Sequence, residues 1–297
     1  MQQLPNSIRP DFSGLWIPLV TPFRDGAVDH HALARLVEGL APTGIAGFVV
    51  CGSTGEAAAL AQDEQLAVLT TVARAAPKLP RIMGISGYHL GQTLDWVRRL
   101  ADSGLAGLLV PAPSYIRPAQ AGLLHWFDAI AGAASAPLLV YDIPYRTGVT
   151  IELQTLLTLA ADPRIVAVKD CGNDARKTRA LIADGRLQIL AGEDAQLFAT
   201  LAEGAVGAIT ASAHLQTVRF VALMRLLGEG RLAQARAEWQ RLQPLVEALF
   251  AEANPAPLKA ALAAQGWMRD ELRPPMTPAS DASRTRLVQL LDEINRR

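Results

Sequence analysis

Short, continuous apolar runs alternate with longer amphipathic stretches through most of the chain. A short apolar run bounded by turn residues reads as a strand buried on both faces, and apolar residues recurring every three or four positions read as one face of a helix. The pattern predicts strands over 15–20, 47–51, 81–85, 107–110, 137–142, 165–169, 188–191 and 206–210. Helical patterns lie between them, among them 63–75, 91–102, 118–134 and 151–159. Asp63 and Asp194 stand where N-caps are expected, and Gly104 and Gly204 where helices stop. Strand–helix alternation carried through this many units favours a closed parallel (β/α)₈ barrel, a TIM barrel. An open doubly wound sheet would usually place a glycine-rich phosphate fingerprint after its first strand, where this chain has Pro22-Phe23-Arg24. Beyond Thr210 the strand pattern stops. Helical patterns follow at 217–228, 232–251, 256–265 and 283–296, with the Pro-rich run Arg273-Pro274-Pro275-Met276-Thr277-Pro278 among them. Residues 1–225 are therefore expected to form the barrel with its catalytic site, and 226–297 a C-terminal helical extension packed on it.

At 297 residues, half of them hydrophobic, the chain has the size of one such barrel with an extension and can fill a large core. Its formal charge is zero and no segment is a basic run or an acidic tail, which argues against nucleic acid or an anionic membrane as main partner. Small anionic substrates remain compatible, since a few local charges serve them. The opening stretch from Met1 to Phe12 has no apolar core flanked by basic residues, so no secretory leader is expected, and no apolar run reaches spanning length. Cys51 and Cys171 fall on segments placed far apart around a barrel. No disulfide is expected, and a reducing cytoplasm is the natural setting.

The positive charge is carried almost entirely by arginine; only Lys78, Lys169, Lys177 and Lys259 are lysine. Lys169 ends the apolar run Ile165-Val166-Ala167-Val168. Arginine stays protonated in proteins, whereas a lysine taken out of water can serve as a neutral amine, the form that attacks a carbonyl to make a Schiff base. The alternative reading is a strand-end lysine that snorkels to solvent or pairs with Asp170. Active sites of such barrels lie at the C-terminal strand ends. That rule selects Gly52-Ser53-Thr54-Gly55-Glu56, the segment from Pro111 to Tyr115, Tyr141-Asp142-Ile143-Pro144-Tyr145-Arg146-Thr147-Gly148, Lys169, Gly192-Glu193-Asp194 and Ile209. The first loop offers hydroxyls and closely spaced amides suited to a carboxylate. Tyr141 can give and take a proton, and Arg146 suits bidentate carboxylate recognition. Each of these also has a bland reading, as a core tyrosine, a solvated arginine or a common turn. Glu56 and Asp170 could act as bases or form structural pairs, and Cys171 reads as a small apolar residue near the site. His30, His31, His89, His125 and His214 show no metal-ligand spacing, so no metal is expected.

Taken together, Gly52-Ser53-Thr54-Gly55-Glu56, Tyr141-Asp142-Ile143-Pro144 with Arg146-Thr147-Gly148, and Val168-Lys169-Asp170 resemble the dihydrodipicolinate synthase / N-acetylneuraminate lyase family of class I aldolases. The resemblance runs from about Gly14 to the end, through Leu19-Val20-Thr21-Pro22-Phe23 and Asn254-Pro255-Ala256-Pro257-Leu258-Lys259. It implies that Lys169 forms an imine with pyruvate and that Tyr141 moves protons over it. Ser53 matches the relay hydroxyl, and Tyr115 the tyrosine that completes the relay from a neighbouring subunit, making a dimer the minimum unit and a tetramer the family's form. Thr54 would hold the pyruvate carboxylate, with Ile209 and Gly192 lining the site. Arg146 matches the arginine that the synthase branch uses for aspartate semialdehyde, whereas Ser53 is the lyase-like choice. Asp142 stands where Asn is usual, and Tyr145, where a small residue is common, could reshape the aldehyde pocket. Gln62, Gln65 and Ser114 depart from the residues of lysine-inhibited members, so lysine feedback is not implied. The resemblance implies a synthase joining pyruvate to aspartate semialdehyde in lysine biosynthesis, with no cofactor. The rivals are an aldolase or lyase acting on N-acetylneuraminate or 2-keto-3-deoxy sugar acids, and a catalytically silent barrel binding a 2-oxo acid.

Overall fold

Eight parallel strands close on themselves in the computed structural model, which describes residues 10–296. They are β1 (Gly14–Pro18), β2 (Gly47–Val50), β3 (Arg81–Gly84), β4 (Gly107–Pro111), β5 (Leu138–Asp142), β6 (Ile165–Asp170), β7 (Gln188–Ala191) and β8 (Gly207–Ile209). Each pairs with its sequence neighbour, and β1 closes the ring by pairing with both β2 and β8, with Ile17 opposite Phe48 and Leu15 opposite Ala208. Around them run α1 (His30–Leu40), α2 (Gln62–Ala75), α3 (Leu90–Arg99), α4 (Gln120–Ala133), α5 (Leu153–Leu159), α6 (Ala175–Asp184), α7 (Leu197–Ala202) and α8 (Thr217–Gly228). The closed order rules out the open sheet. The part of the opening stretch read as lacking a leader that precedes residue 10 lies outside the described residues.

Alternation along each strand sorts its side chains between two separate cores. Trp16, Val49, Ile82, Leu109, Leu139, Leu190 and Ile209 fill the barrel interior. Ile17, Phe48, Val50, Met83, Leu108, Val140 and Ile189 face outward into the layer of helices. Burial of one such aliphatic side chain contributes about 1.5–3 kcal/mol, so the apolar runs are what set the barrel. The lower end is plugged by Trp16, whose indole N–H donates to the Phe12 carbonyl at 2.9 Å. Gly47 makes room for that ring: a Cβ there would lie 2.5 Å from it.

The same parity decides which charged residues reach the upper mouth. Tyr141 is in register with Lys169, so both point inward, whereas Asp142 is in register with Asp170 and both point outward. Asp142 is fully buried against α6, where its carboxylate takes the Lys177 ammonium. Its side chain therefore points away from the barrel mouth. Asp170 accepts from the Thr178 hydroxyl at 2.5 Å and from the Gly172 amide, so neither is it the partner of Lys169.

Two caps differ from expectation. At the start of α2 the cap position is Ala61, and Glu64 reaches back to its amide at 2.9 Å, leaving Asp63 in the first turn. Asp194 turns inward and binds the Thr210 hydroxyl and the Ser212 amide, tying the β7 loop to the β8 loop. After β1 the chain makes a short antiparallel ribbon, Phe23–Arg24 with Ala27–Val28. Beyond α8, the helices α9 (Leu232–Leu249), α10 (Ala256–Ala264) and α11 (Asp281–Arg296) follow; α9 packs on α8 and α11, and α10 on α11. Among the described residues no helix is long and apolar enough to cross a membrane.

Candidate active site

Three lysines are buried, and their partners separate them. Lys177 and Lys259 each hold a carboxylate, from Asp142 and Glu56. Lys169, 5% exposed, forms no ion pair among the described residues. Its amine lies 3.4 Å from the Tyr141 hydroxyl and 4.4 Å from the centre of that ring. This excludes both the snorkelling and the Asp170 readings, because the stem runs inside the barrel toward its upper mouth.

Gly192 makes that position available. A Cβ at Gly192 would lie 2.6 Å from Lys169 Cγ and 2.7 Å from Cys171 Sγ, so only glycine lets the lysine stem pass the end of β7. Cys171 is buried, and burial pushes its thiol up to about 12, which fits packing and not nucleophilic chemistry. Ile209 is fully buried in the same interior cluster.

Tyr141 sits on the neighbouring strand. Burial drives its phenol well above the ordinary tyrosine value; a hydrogen bond with the Ser53 hydroxyl and the positive charge of Arg146 oppose that rise without cancelling it. The phenol therefore rests protonated and is linked to Ser53, as a proton-transfer group with an exit route must be. Ser53 belongs to the 52–56 loop. Within it the Gly55 amide donates to the Gly52 carbonyl and the Glu56 amide to the Ser53 carbonyl, whereas the amides of Ser53 and Thr54 donate to no carbonyl among the described residues. Two adjacent free amides beside hydroxyls make a carboxylate cradle.

A cleft of about 310 Å³ opens over these groups, lined among others by Gly52, Ser53, Tyr141, Ile143 and Arg146. Arg146 lies on a single helical turn, Pro144–Thr147, started by Pro144 and stopped by Gly148 in the left-handed region. Its guanidinium packs 5.9 Å from the Tyr145 ring, and Tyr145 is largely exposed at the rim. Tyr115 does not reach this cluster within its own chain. It is 88% exposed, with a left-handed backbone at φ 74°.

Sequence reasoning gave no role to several residues at this mouth. Glu193 is half-buried beside Gly192, and burial raises its carboxyl against the pull of Lys169 and Arg146. His214 bridges two loops, accepting from the Val20 amide at 3.3 Å and meeting the Ala211 carbonyl at 2.9 Å. Among the described residues no cluster of three or more His, Cys, Asp or Glu could hold a metal.

Burial pushes the His214 imidazole down to about 4, so it stays neutral in the folded protein where an unfolded histidine would protonate. The stability it contributes is complete above pH ~6.5 and is lost as pH falls through the window to about 4, up to roughly 3 kcal/mol. Thermal melts between pH 7 and 4 should fall more steeply for the parent than for His214→Gln; equal slopes would remove this assignment.

A model of the "Dihydrodipicolinate synthetase family" matches residues 11–294. The chain is 37% identical over 289 residues to a 4-hydroxy-tetrahydrodipicolinate synthase of Thermosynechococcus vestitus, covering 96% of this chain and 98% of that one. It is 38% identical over 303 residues to the enzyme of the same name from Sorangium cellulosum, covering 100% and 99%. Among solved structures, the 4-hydroxy-tetrahydrodipicolinate synthase of Methylacidiphilum fumariolicum SolV superposes with a TM-score of 0.93 at 32% identity, covering 96% of this chain and 97% of that one. The chain belongs to the dihydrodipicolinate synthetase family.

Proposed function

We propose that the protein is a Schiff-base class I aldolase of the 4-hydroxy-tetrahydrodipicolinate synthase type, joining pyruvate to L-aspartate 4-semialdehyde in lysine biosynthesis. The observation that carries this reading is the buried amine of Lys169, 3.4 Å from the Tyr141 phenol and in no ion pair among the described residues. The names of the full-length relatives support the synthase branch.

In this reading the Lys169 amine attacks the pyruvate carbonyl carbon, and the carbonyl oxygen leaves as water to give an imine. The protonated imine withdraws electrons, so the methyl group loses a proton and an enamine forms. Its methyl-derived carbon then bonds to the aldehyde carbon, the aldehyde oxygen takes up a proton and the imine re-forms; the second substrate's own amino group then attacks the imine carbon, closing a ring and releasing the Lys169 amine. Tyr141 supplies and removes these protons through Ser53. The free amides of the 52–56 loop and the Thr54 hydroxyl hold the pyruvate carboxylate, Ile209 and Gly192 wall the site beside the lysine, and Arg146 receives the carboxylate of the second substrate. The lysine itself supplies the electron sink, so the scheme needs no cofactor.

Arg146→Ala is expected to raise the KM for the aldehyde by roughly 10- to 100-fold, the worth of a charge-assisted pair, with little change in pyruvate imine formation. Equal loss of both half-reactions contradicts the assignment. Coupled assays with aspartate semialdehyde, N-acetylneuraminate and 2-keto-3-deoxy sugar acids test the substrate; preference for a sugar acid would overturn it.

Tyr115 is taken to complete the proton relay in the site of a partner subunit, with a dimer as the minimum active unit and a cytoplasmic dimer of dimers as the full assembly. The exposed ring on its strained loop supports this reading. Sedimentation at assay concentration should give a dimer or larger, and a fully active monomer contradicts the relay. We further take 1–225 as the barrel unit and 226–297 as the helical extension.

A further inference from the structure

We propose that Asn254 and Lys259, both carried by the chain after the barrel, are positioning residues that hold the 52–56 loop in its carboxylate-receiving conformation. This rests on the reading of that loop as the pyruvate carboxylate site. The loop's own turn bonds are joined by strain at both ends: Cys51 before it and Glu56 at its end have left-handed backbones, at φ 54° and 53°, a conformation that persists in such residues only when neighbours impose it. For Glu56 those neighbours come from the far end of the chain.

Glu56 is buried and spends both carboxylate oxygens on the C-terminal segments. One takes the Lys259 ammonium at 2.5 Å and the other the Arg273 amide at 3.1 Å. Lys259 is fully buried on α10, donates also to the Glu271 carbonyl at 2.8 Å, and rests 4.2 Å from the Phe23 ring. A second tie acts on the loop's working residue. The Asn254 side-chain amide donates to the Thr54 hydroxyl oxygen at 3.0 Å. A hydroxyl has one proton, so a Thr54 oxygen that accepts from Asn254 keeps its own O–H free to donate elsewhere. Asn254 thus fixes the polarity of Thr54 as a donor, which is the polarity a carboxylate substrate needs. The Thr21 hydroxyl donates to the Gly55 carbonyl at 2.7 Å and steadies the loop from the β1 side, so the C-terminal ties act on a loop already held at one edge.

The test uses the full chain and borohydride trapping of pyruvate across a concentration series, with the aldehyde KM and melting temperature read in parallel. Asn254→Asp presents an acceptor and a negative charge to Thr54 and should raise the pyruvate concentration for half-maximal trapping by about tenfold or more, the size of one lost hydrogen bond to a charged group. Asn254→Ala, which leaves Thr54 unoriented, should raise it by about threefold on the same scale. The double variant Glu56→Gln/Lys259→Met removes the buried pair together, avoiding a stranded charge, and should also weaken pyruvate trapping. In each variant the aldehyde KM should move less than the pyruvate value, a split that general destabilisation does not produce. Folded Asn254→Ala and Asn254→Asp proteins whose pyruvate half-saturation stays within twofold of the parent would overturn the positioning role. If the parent itself traps no pyruvate, the pyruvate reading of the site fails instead.

Discussion

Replacing Lys169 by methionine is expected to cut turnover by on the order of 10⁴-fold or more, because it removes the amine to which imine formation is assigned. The same substitution should leave the melting temperature unchanged or raised. Lys169 is buried and forms no ion pair among the described residues, and exchanging such an amine for an apolar side chain of similar volume removes a desolvation cost without breaking an ion pair. Activity and stability are thus expected to move in opposite directions. A coupled assay and a thermal melt on the same preparation check this. Retention of even a few per cent of turnover, with the variant's sequence verified, contradicts the nucleophile assignment.

Tyr141→Phe is the second large effect. The ring stays, so the 4.4 Å contact with the Lys169 amine and the interior packing are kept, and the fold should survive. What goes is the hydroxyl that links the imine region to Ser53. Loss of a positioned general acid–base group costs about 10²–10⁴-fold, and the loss should fall on proton transfer. Exchange of the pyruvate methyl protons with deuterated solvent, followed by NMR, reads that step without the aldehyde. Exchange at the parental rate together with a raised KM for pyruvate would make Tyr141 a binding residue and not a proton carrier.

Much of this was legible in the sequence because the responsible signals are local. Apolar runs set each strand within a residue or two. The residue contrast at Lys169 and the glycine-rich loop at 52–56 stand out without any structure. Parity along a strand was legible in principle, and it would have turned Asp142 outward at once, since Tyr141 and Lys169 must face in. Asp194 looked like a cap because Asp before a helix usually is one, yet its partners Thr210 and Ser212 lie on the next strand's loop. Signals of that kind are tertiary. The tie between Asn254 and Thr54 spans 200 residues, and no spacing rule reaches across such a distance. Gly192 is the intermediate case: its position after β7 was visible, but the reason for a glycine is the Lys169 stem beside it. The helices after the barrel read clearly as helices, while their hold on the active-site loop had no counterpart in the pattern.

Imine formation between Lys169 and pyruvate can be trapped and located on the chain. The protein is incubated with pyruvate, reduced with borohydride, digested and examined by peptide mass spectrometry. One pyruvate-derived adduct is expected, on the peptide containing Lys169, absent without pyruvate and absent in Lys169→Met. An adduct on Lys78, Lys177 or Lys259 in its place, or no adduct at saturating pyruvate, would contradict it.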